Sequence, residues 1–296
     1  MKETESALMA PPESRPRIIK ERKNLGRGEF EAMRYTPRQE QGESQYPVPL
    51  LFVHGHGQDP TLERYLQLFG QTGRDTVGVG YPKRRTSKDV RRRMMDSVSV
   101  KVPPYQYEKA EDILSAMNSM GVGQADIVAT SEGALRALIA VSMHPEKFRN
   151  IILVHPAGMD DRGSLVTSLR AAYHYGRRFL RKPHLFTERV KRGSWKTKGA
   201  KEIRREQQTI GRTRLHSLMA ELHNNHPHLL FSIIGDKRDR IFTAKRLRRI
   251  NEENLFTFHT SDWGGHGIGL QPKNVNEIVG LLQQMEQSRT DAKIKE

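Results

Sequence analysis

The segment that most constrains this chain runs from residue 125 to residue 143. Residues 125–129 (Ala-Asp-Ile-Val-Ala) form a short, mostly apolar run of the length of a buried strand. Residues 134–143 are nearly all apolar and rich in Ala and Leu, which suits a buried helix. Only Thr130-Ser131-Glu132-Gly133 lies between them, without proline or a polar loop. A turn that sharp strains its central residue and needs small neighbours, so that strand and helix can approach closely. Ser131 then stands at the apex, its hydroxyl exposed above a helix N-terminus. Backbone N–H groups and the helix dipole face any negative charge that develops there, which suits a nucleophile. The same residues also fit a plain strand–helix turn with a helix-capping serine.

The rest of the chain repeats the alternation. Strands are expected at Ile18-Ile19 and residues 28–35, joined by a turn over residues 24–28. Further apolar strands are expected at 48–54, 75–80, 150–155, 228–235 and 254–259. Amphipathic helices are expected at 61–69, 107–120, 243–251 and 274–285, the last opened by the cap pair Asn274 and Glu277. Residues 81–104 read as a basic loop. Continuous apolar strands between helices imply a mostly parallel central sheet with helices on both faces. Active sites of such sheets lie at the C-terminal ends of the strands.

Residues 159–227 break this rhythm. The part from Asp160 to Glu221 holds 16 Lys and Arg against 6 Asp and Glu. Leu215, Leu218, Met219 and Leu222 mark one amphipathic face, and Leu165, Leu169 and Tyr173 another. The expected organisation is a core of 17–158 and 228–287 carrying an inserted basic helical cap at 159–227. Residues 1–16 are expected as a disordered tail and 288–296 as a polar tail.

The formal net charge is +16, a balance that favours anionic partners and says nothing of fold. With no cysteine there is neither a disulfide nor a thiolate metal site. That absence fits a reducing compartment. Residues 1–17 lack the apolar core of a secretory signal, and no run approaches the ~20 apolar residues of a membrane span. A cytoplasmic protein is the expectation.

A serine hydroxyl needs a base to take its proton and an acid to orient that base. The strand at 228–235 is followed by Asp236-Lys237-Arg238-Asp239-Arg240-Ile241-Phe242. The strand at 254–259 is followed by Thr260-Ser261-Asp262-Trp263-Gly264-Gly265-His266-Gly267. Serine, acid and histidine thus follow three separate strands in order. This order, the Ala-Thr-Ser-Glu-Gly turn and the Gly-Gly-His-Gly loop resemble the α/β-hydrolase superfamily, in its serine-nucleophile, cap-containing esterase and lipase branch. Ala129 departs from the family's first elbow glycine.

The resemblance implies the α/β-hydrolase fold, with Ser131 as nucleophile, Asp239 as acid and His266 as base. Asp236 is the competing acid, and Asp239 is favoured because Ile241-Phe242 follow it as in the family's pattern. It also implies an oxyanion hole made by the N–H groups of Glu132 and His56, the latter in His54-Gly55-His56-Gly57. A pair of metal-binding histidines is the alternative for that loop, with no third ligand patterned beside it.

Two functions follow. One is a serine hydrolase acting on an ester, thioester or amide of a small to medium acyl compound, needing no cofactor, with an acyl substrate that the basic cap could select as anionic. The other is a non-catalytic binding protein whose basic cap, around Arg177, Arg178 and Arg181, meets nucleic acid, anionic lipid or an acidic protein. No specific nucleic-acid motif accompanies the charge.

Overall fold

The computed structural model describes residues 17–24, 29–37, 46–55, 61–80, 93–95, 98–159, 173, 208–210, 212, 214–251, 254–265 and 270–295. The chain opens with β1 (Arg17–Asn24) and β2 (Glu29–Thr36), which pair antiparallel. Then come β3 (Leu50–Val53), α1 (Leu62–Gly70) and β4 (Thr76–Gly80). A small hairpin, β5 (Arg93–Met95) with β6 (Val98–Val102), leads into α2 (Pro104–Ser119). It stands where the sequence reads as a loop; Val98, Val100 and Val102 carry its period-two pattern. The strand–elbow–helix unit is β7 (Ala125–Thr130) and α3 (Glu132–Met143), followed by β8 (Phe148–Val154). The chain ends with α4 (Leu215–Asn225), β9 (Leu230–Asp236), α5 (Ala244–Ile250), β10 (Thr257–Ser261) and α6 (Pro272–Lys295).

The main sheet has the order β1-β2-β4-β3-β7-β8-β9-β10. β2 runs antiparallel to both its neighbours, and β4, β3, β7, β8, β9 and β10 are mutually parallel. The strand period explains why β3, β4 and β7 are buried along their whole length. Leu51, Val53, Ile127, Ala129, Ile151 and Leu153 face one cluster, which α2, α3 and α4 close. Leu50, Phe52, Val128, Ile152 and Val154 face the other, closed by α1 and α6. Successive residues of one strand therefore serve opposite cores, so neither face tolerates alternation with polar residues. Gly78 lets α1 come close: a Cβ there would meet Leu62 Cδ1 at 2.8 Å.

At the opposite edge from the strand C-termini lies a buried ionic network. Arg74 Nη1 donates to Asp126 Oδ2 at 3.1 Å, both side chains fully buried, and the Arg74 guanidinium stacks 3.9 Å above the Tyr46 ring. Arg149 approaches Asp126 at 3.6 Å and pairs with Glu286 of α6. Burial pushes the Asp126 carboxyl up from its ordinary value, against the pull of Arg149 and Arg74. Arg289 donates to the carbonyls of Arg149 and His228 and to Asn150 Oδ1. These bonds hold the end of α6 on the sheet, so the helix continues through the stretch read as a polar tail, to Lys295. Residues 1–16 lie outside the described residues, as does most of 159–227.

Candidate active site

Ser131 occupies the turn between β7 and α3 with φ 50° and ψ −120°. Positive φ is costly for a residue with a Cβ, on the order of 1–3 kcal/mol, and persists only where the surroundings fix it. Here three backbone hydrogen bonds do so. The Ser131 N–H donates to the Val154 carbonyl at 2.9 Å, and its own carbonyl accepts from Ala134 at 3.2 Å and Ala157 at 3.1 Å. Gly133 supplies the close approach: a Cβ there would sit 2.4 Å from the Val53 carbonyl oxygen and 2.6 Å from that of His54. Ala129, in the first-glycine position, is fully buried within β7, between β3 and β8.

The loop after β3 is tied to the elbow, since Gly55 N–H donates to Thr130 Oγ1 at 2.9 Å. His54 Nδ1 lies 2.7 Å from the Gly55 carbonyl oxygen. His56 lies outside the described residues. The Glu132 side chain turns away from the rim, into the α2–α3 interface. It accepts from Gln106 Nε2 at 2.9 Å and Arg136 Nη2 at 2.6 Å, with Lys109 Nζ at 3.8 Å. Glu132, Arg136, Lys109 and Gln106 are all buried. A bare buried carboxylate one residue from Ser131 would be costly, and the two cations offset it. Gln106 also donates to Thr209 Oγ1 at 2.9 Å, which connects this network to the stretch assigned to the cap.

Both candidate acids are buried. Asp236 closes β9: its Oδ1 accepts from Arg238 N–H at 2.7 Å, its Oδ2 from Ser261 Oγ at 3.3 Å and from Trp263 N–H. Its oxygens bind the end of β9 to the end of β10. Asp239 Oδ1 accepts from the N–H groups of Ile241 at 2.8 Å and Phe242 at 2.9 Å, which fixes the carboxyl at the rim. Ile241 and Phe242 pack on Ala157, the residue bonded to the Ser131 carbonyl. The β10 loop closes the circle. Gly265, with φ 96°, lies so near the acid loop that a Cβ would be 2.8 Å from the Arg238 carbonyl oxygen. His266 itself lies outside the described residues. The elbow, the acid loop and the chain entering His266 therefore adjoin at one end of the sheet.

One rim residue went unmarked in the sequence. His155, at the end of β8, has φ 48°, is buried, and lies with its ring 5.8 Å from that of Trp263. Its only sequence signal is its place at a strand end, before Pro156. Beside Asp239 opens a groove of about 1070 Å³, lined also by Tyr173, Lys237, Arg240, Lys245 and Arg248. Among the described residues no cluster of His, Asp and Glu could hold a metal, and no helix is long and apolar enough to cross a membrane.

No protein-family model and no curated protein matches the chain. Solved structures do. A serine hydrolase from Cycloclasticus zankles superposes with a TM-score of 0.58 at 13% identity, covering 93% of this chain and 99% of that one. The 2-hydroxy-6-oxo-6-phenylhexa-2,4-dienoate hydrolase of Rhodococcus sp. strain RHA1 gives 0.55 at 17% identity, covering 92% and 99%. Naproxen esterase from Bacillus subtilis gives 0.53 at 13%, covering 91% and 93%. With its strand order, its single antiparallel inner strand and its strained serine turn, the chain has the α/β-hydrolase fold.

Proposed function

We propose that the chain is a serine hydrolase that cleaves an ester, thioester or amide of a small to medium acyl compound, a carboxylic ester foremost. The observation that carries this reading is the left-handed backbone of Ser131, held by three hydrogen bonds at a strand–helix turn. Strain kept so firmly at one residue is a mark of function rather than of economy. The three solved proteins of like fold are two hydrolases and an esterase, which supports hydrolysis as the reaction class.

In this reading Ser131 Oγ attacks the acyl carbon while His266 takes its proton. The N–H groups of Glu132 and His56 receive the oxyanion, each worth on the order of 3 kcal/mol of transition-state stabilisation. The intermediate collapses, the alcohol, thiol or amine leaves with the proton from His266, and an acyl-Ser131 remains. Water, deprotonated by His266, then releases the acid. Asp239 orients His266. It is preferred to Asp236 because it lines the rim groove, whereas the Asp236 oxygens are engaged in joining β9 to β10. The core 17–158 and 228–287, closed also by α4, would carry the remainder of residues 159–227 as a cap that shapes the acyl pocket.

The test is labelling by a fluorophosphonate. The folded chain should react at Ser131, and Ser131→Ala should not. Asp239→Asn should lower kcat by about 10³–10⁴ with the fold intact. A folded chain that refuses the probe defeats the proposal.

A further inference from the structure

The groove beside Asp239 is rich in positive charge. Among its described lining residues are four cations, Lys237, Arg240, Lys245 and Arg248, and one carboxylate, Asp239. Arg238, on the same loop, is paired with Asp262 at 2.7 Å. Among the described residues none of the four lining cations has a carboxylate partner. Arg248 is nevertheless held in place: its Nη2 donates to Thr260 Oγ1 at 3.1 Å, and its guanidinium lies 5.6 Å from the centre of the Phe258 ring. Thr260 accepts that bond, so its own hydroxyl proton is left to donate into the groove that it also lines.

Like charges around one concavity repel, and at physiological salt screening sets in only beyond about 8 Å. A bound anion would offset that repulsion. A lone carboxylate would leave the groove strongly cationic, since among its described lining residues four positive side chains face one negative. A phosphate group, with about two charges and three acceptor oxygens, offsets more of that charge than a carboxylate does and suits the donors: two guanidiniums, two ammoniums and a hydroxyl.

We propose that this groove is a phosphate-binding site. Taken together with the hydrolase reading of Ser131, on which the identity of the substrate rests, it makes that substrate an acyl ester that carries a phosphate. The phosphate could belong to a soluble compound or to a lipid headgroup.

A chain with net charge +16 attracts any anion, so the test compares charge-matched variants. Lys245→Glu/Arg248→Glu alters the groove. Arg64→Glu/Lys101→Glu alters exposed cations elsewhere by the same amount. Circular dichroism and melting temperature establish that each is folded. Pyrophosphate binding to the full chain is followed by calorimetry, and phosphatidic acid in phosphatidylcholine vesicles by co-sedimentation against phosphatidylcholine alone. The groove pair should weaken binding at least tenfold, and the distant pair no more than twofold. Groove-dependent binding of pyrophosphate identifies a soluble phosphate compound; groove-dependent binding of vesicles alone identifies a headgroup. Equal weakening by both pairs, or no binding of either probe, overturns the site. Ser131→Ala should bind pyrophosphate unchanged. If that binding persists while fluorophosphonate labelling fails, the site stands and the hydrolase falls.

Discussion

Gly133 and Val53 meet so closely that a methyl group on the former would lie 2.4 Å from the carbonyl oxygen of the latter. The N-terminus of α3 can rest on the end of β3 only because residue 133 has no side chain. Gly133→Ala should therefore cost on the order of 3 kcal/mol, at the upper end for overpacking, because backbone must move rather than a flexible side chain. Urea unfolding measures it. Fluorophosphonate labelling of the folded fraction should fall as well, since any shift of α3 displaces Ser131. An alanine variant as stable and as reactive as the parent would contradict this account of the elbow.

Ser131 stores strain, and that strain separates stability from reactivity. Glycine adopts positive φ without a Cβ clash, whereas alanine keeps the clash. Ser131→Gly should exceed Ser131→Ala in stability by on the order of 1 kcal/mol, read from the urea midpoint at constant m. Both should be dead to the probe. Equal stabilities would mean that the turn is relaxed.

How far the sequence reveals these features depends on the distance over which each is encoded. The elbow is legible because strand, turn and helix are consecutive: residues 125–143 hold the apolar run, the small residues and the second apolar run. The place of Asp239 is legible because the strand before it, β9, is largely apolar, whereas β10 is polar but for Phe258 and is marked by the Leu255-Phe256 pair that leads into it. The Glu132 network is not legible. Lys109 lies off the apolar face of its amphipathic helix and Glu132 lies in the turn, and only the packing of α2 on α3 buries the two side chains together. The helical end of α6 is hidden for the same reason: Arg289 finds its partners at Arg149 and His228, far away in the chain. His155 gives no warning either, because its left-handed backbone follows from the β8–β9 pairing, where its N–H meets the Ile234 carbonyl at 2.8 Å.

The ionic network below the sheet makes a prediction about coupling. Breaking one partner of a buried pair leaves a desolvated charge, which typically costs about 3–5 kcal/mol, whereas replacing both by apolar groups of like volume can be nearly neutral. Arg74→Met should be strongly destabilising, because it removes the closest cation from the buried Asp126 carboxylate and leaves it Arg149, at 3.6 Å, and the Asn150 N–H, at 3.3 Å. Arg74→Met/Asp126→Leu should recover much of the loss. A double-mutant cycle from urea unfolding measures the coupling. Strictly additive losses would show that the pair does not act as a unit.

His259 sets a pH dependence of known sign. Burial lowers its pKa below the ordinary 6.5, so the folded chain binds that proton less readily than the unfolded chain. A depressed folded pKa contributes stability that is present above the unfolded value. It is lost as pH falls through 6.5 and on through the lower folded pKa. Melting temperature should therefore decline more steeply between pH 7.5 and pH 5 in the parent than in His259→Gln, which carries no titrating ring. The comparison of the two slopes removes the contribution of the other histidines. Parallel slopes would show that the partly buried imidazole on β10 titrates as it does in the unfolded chain.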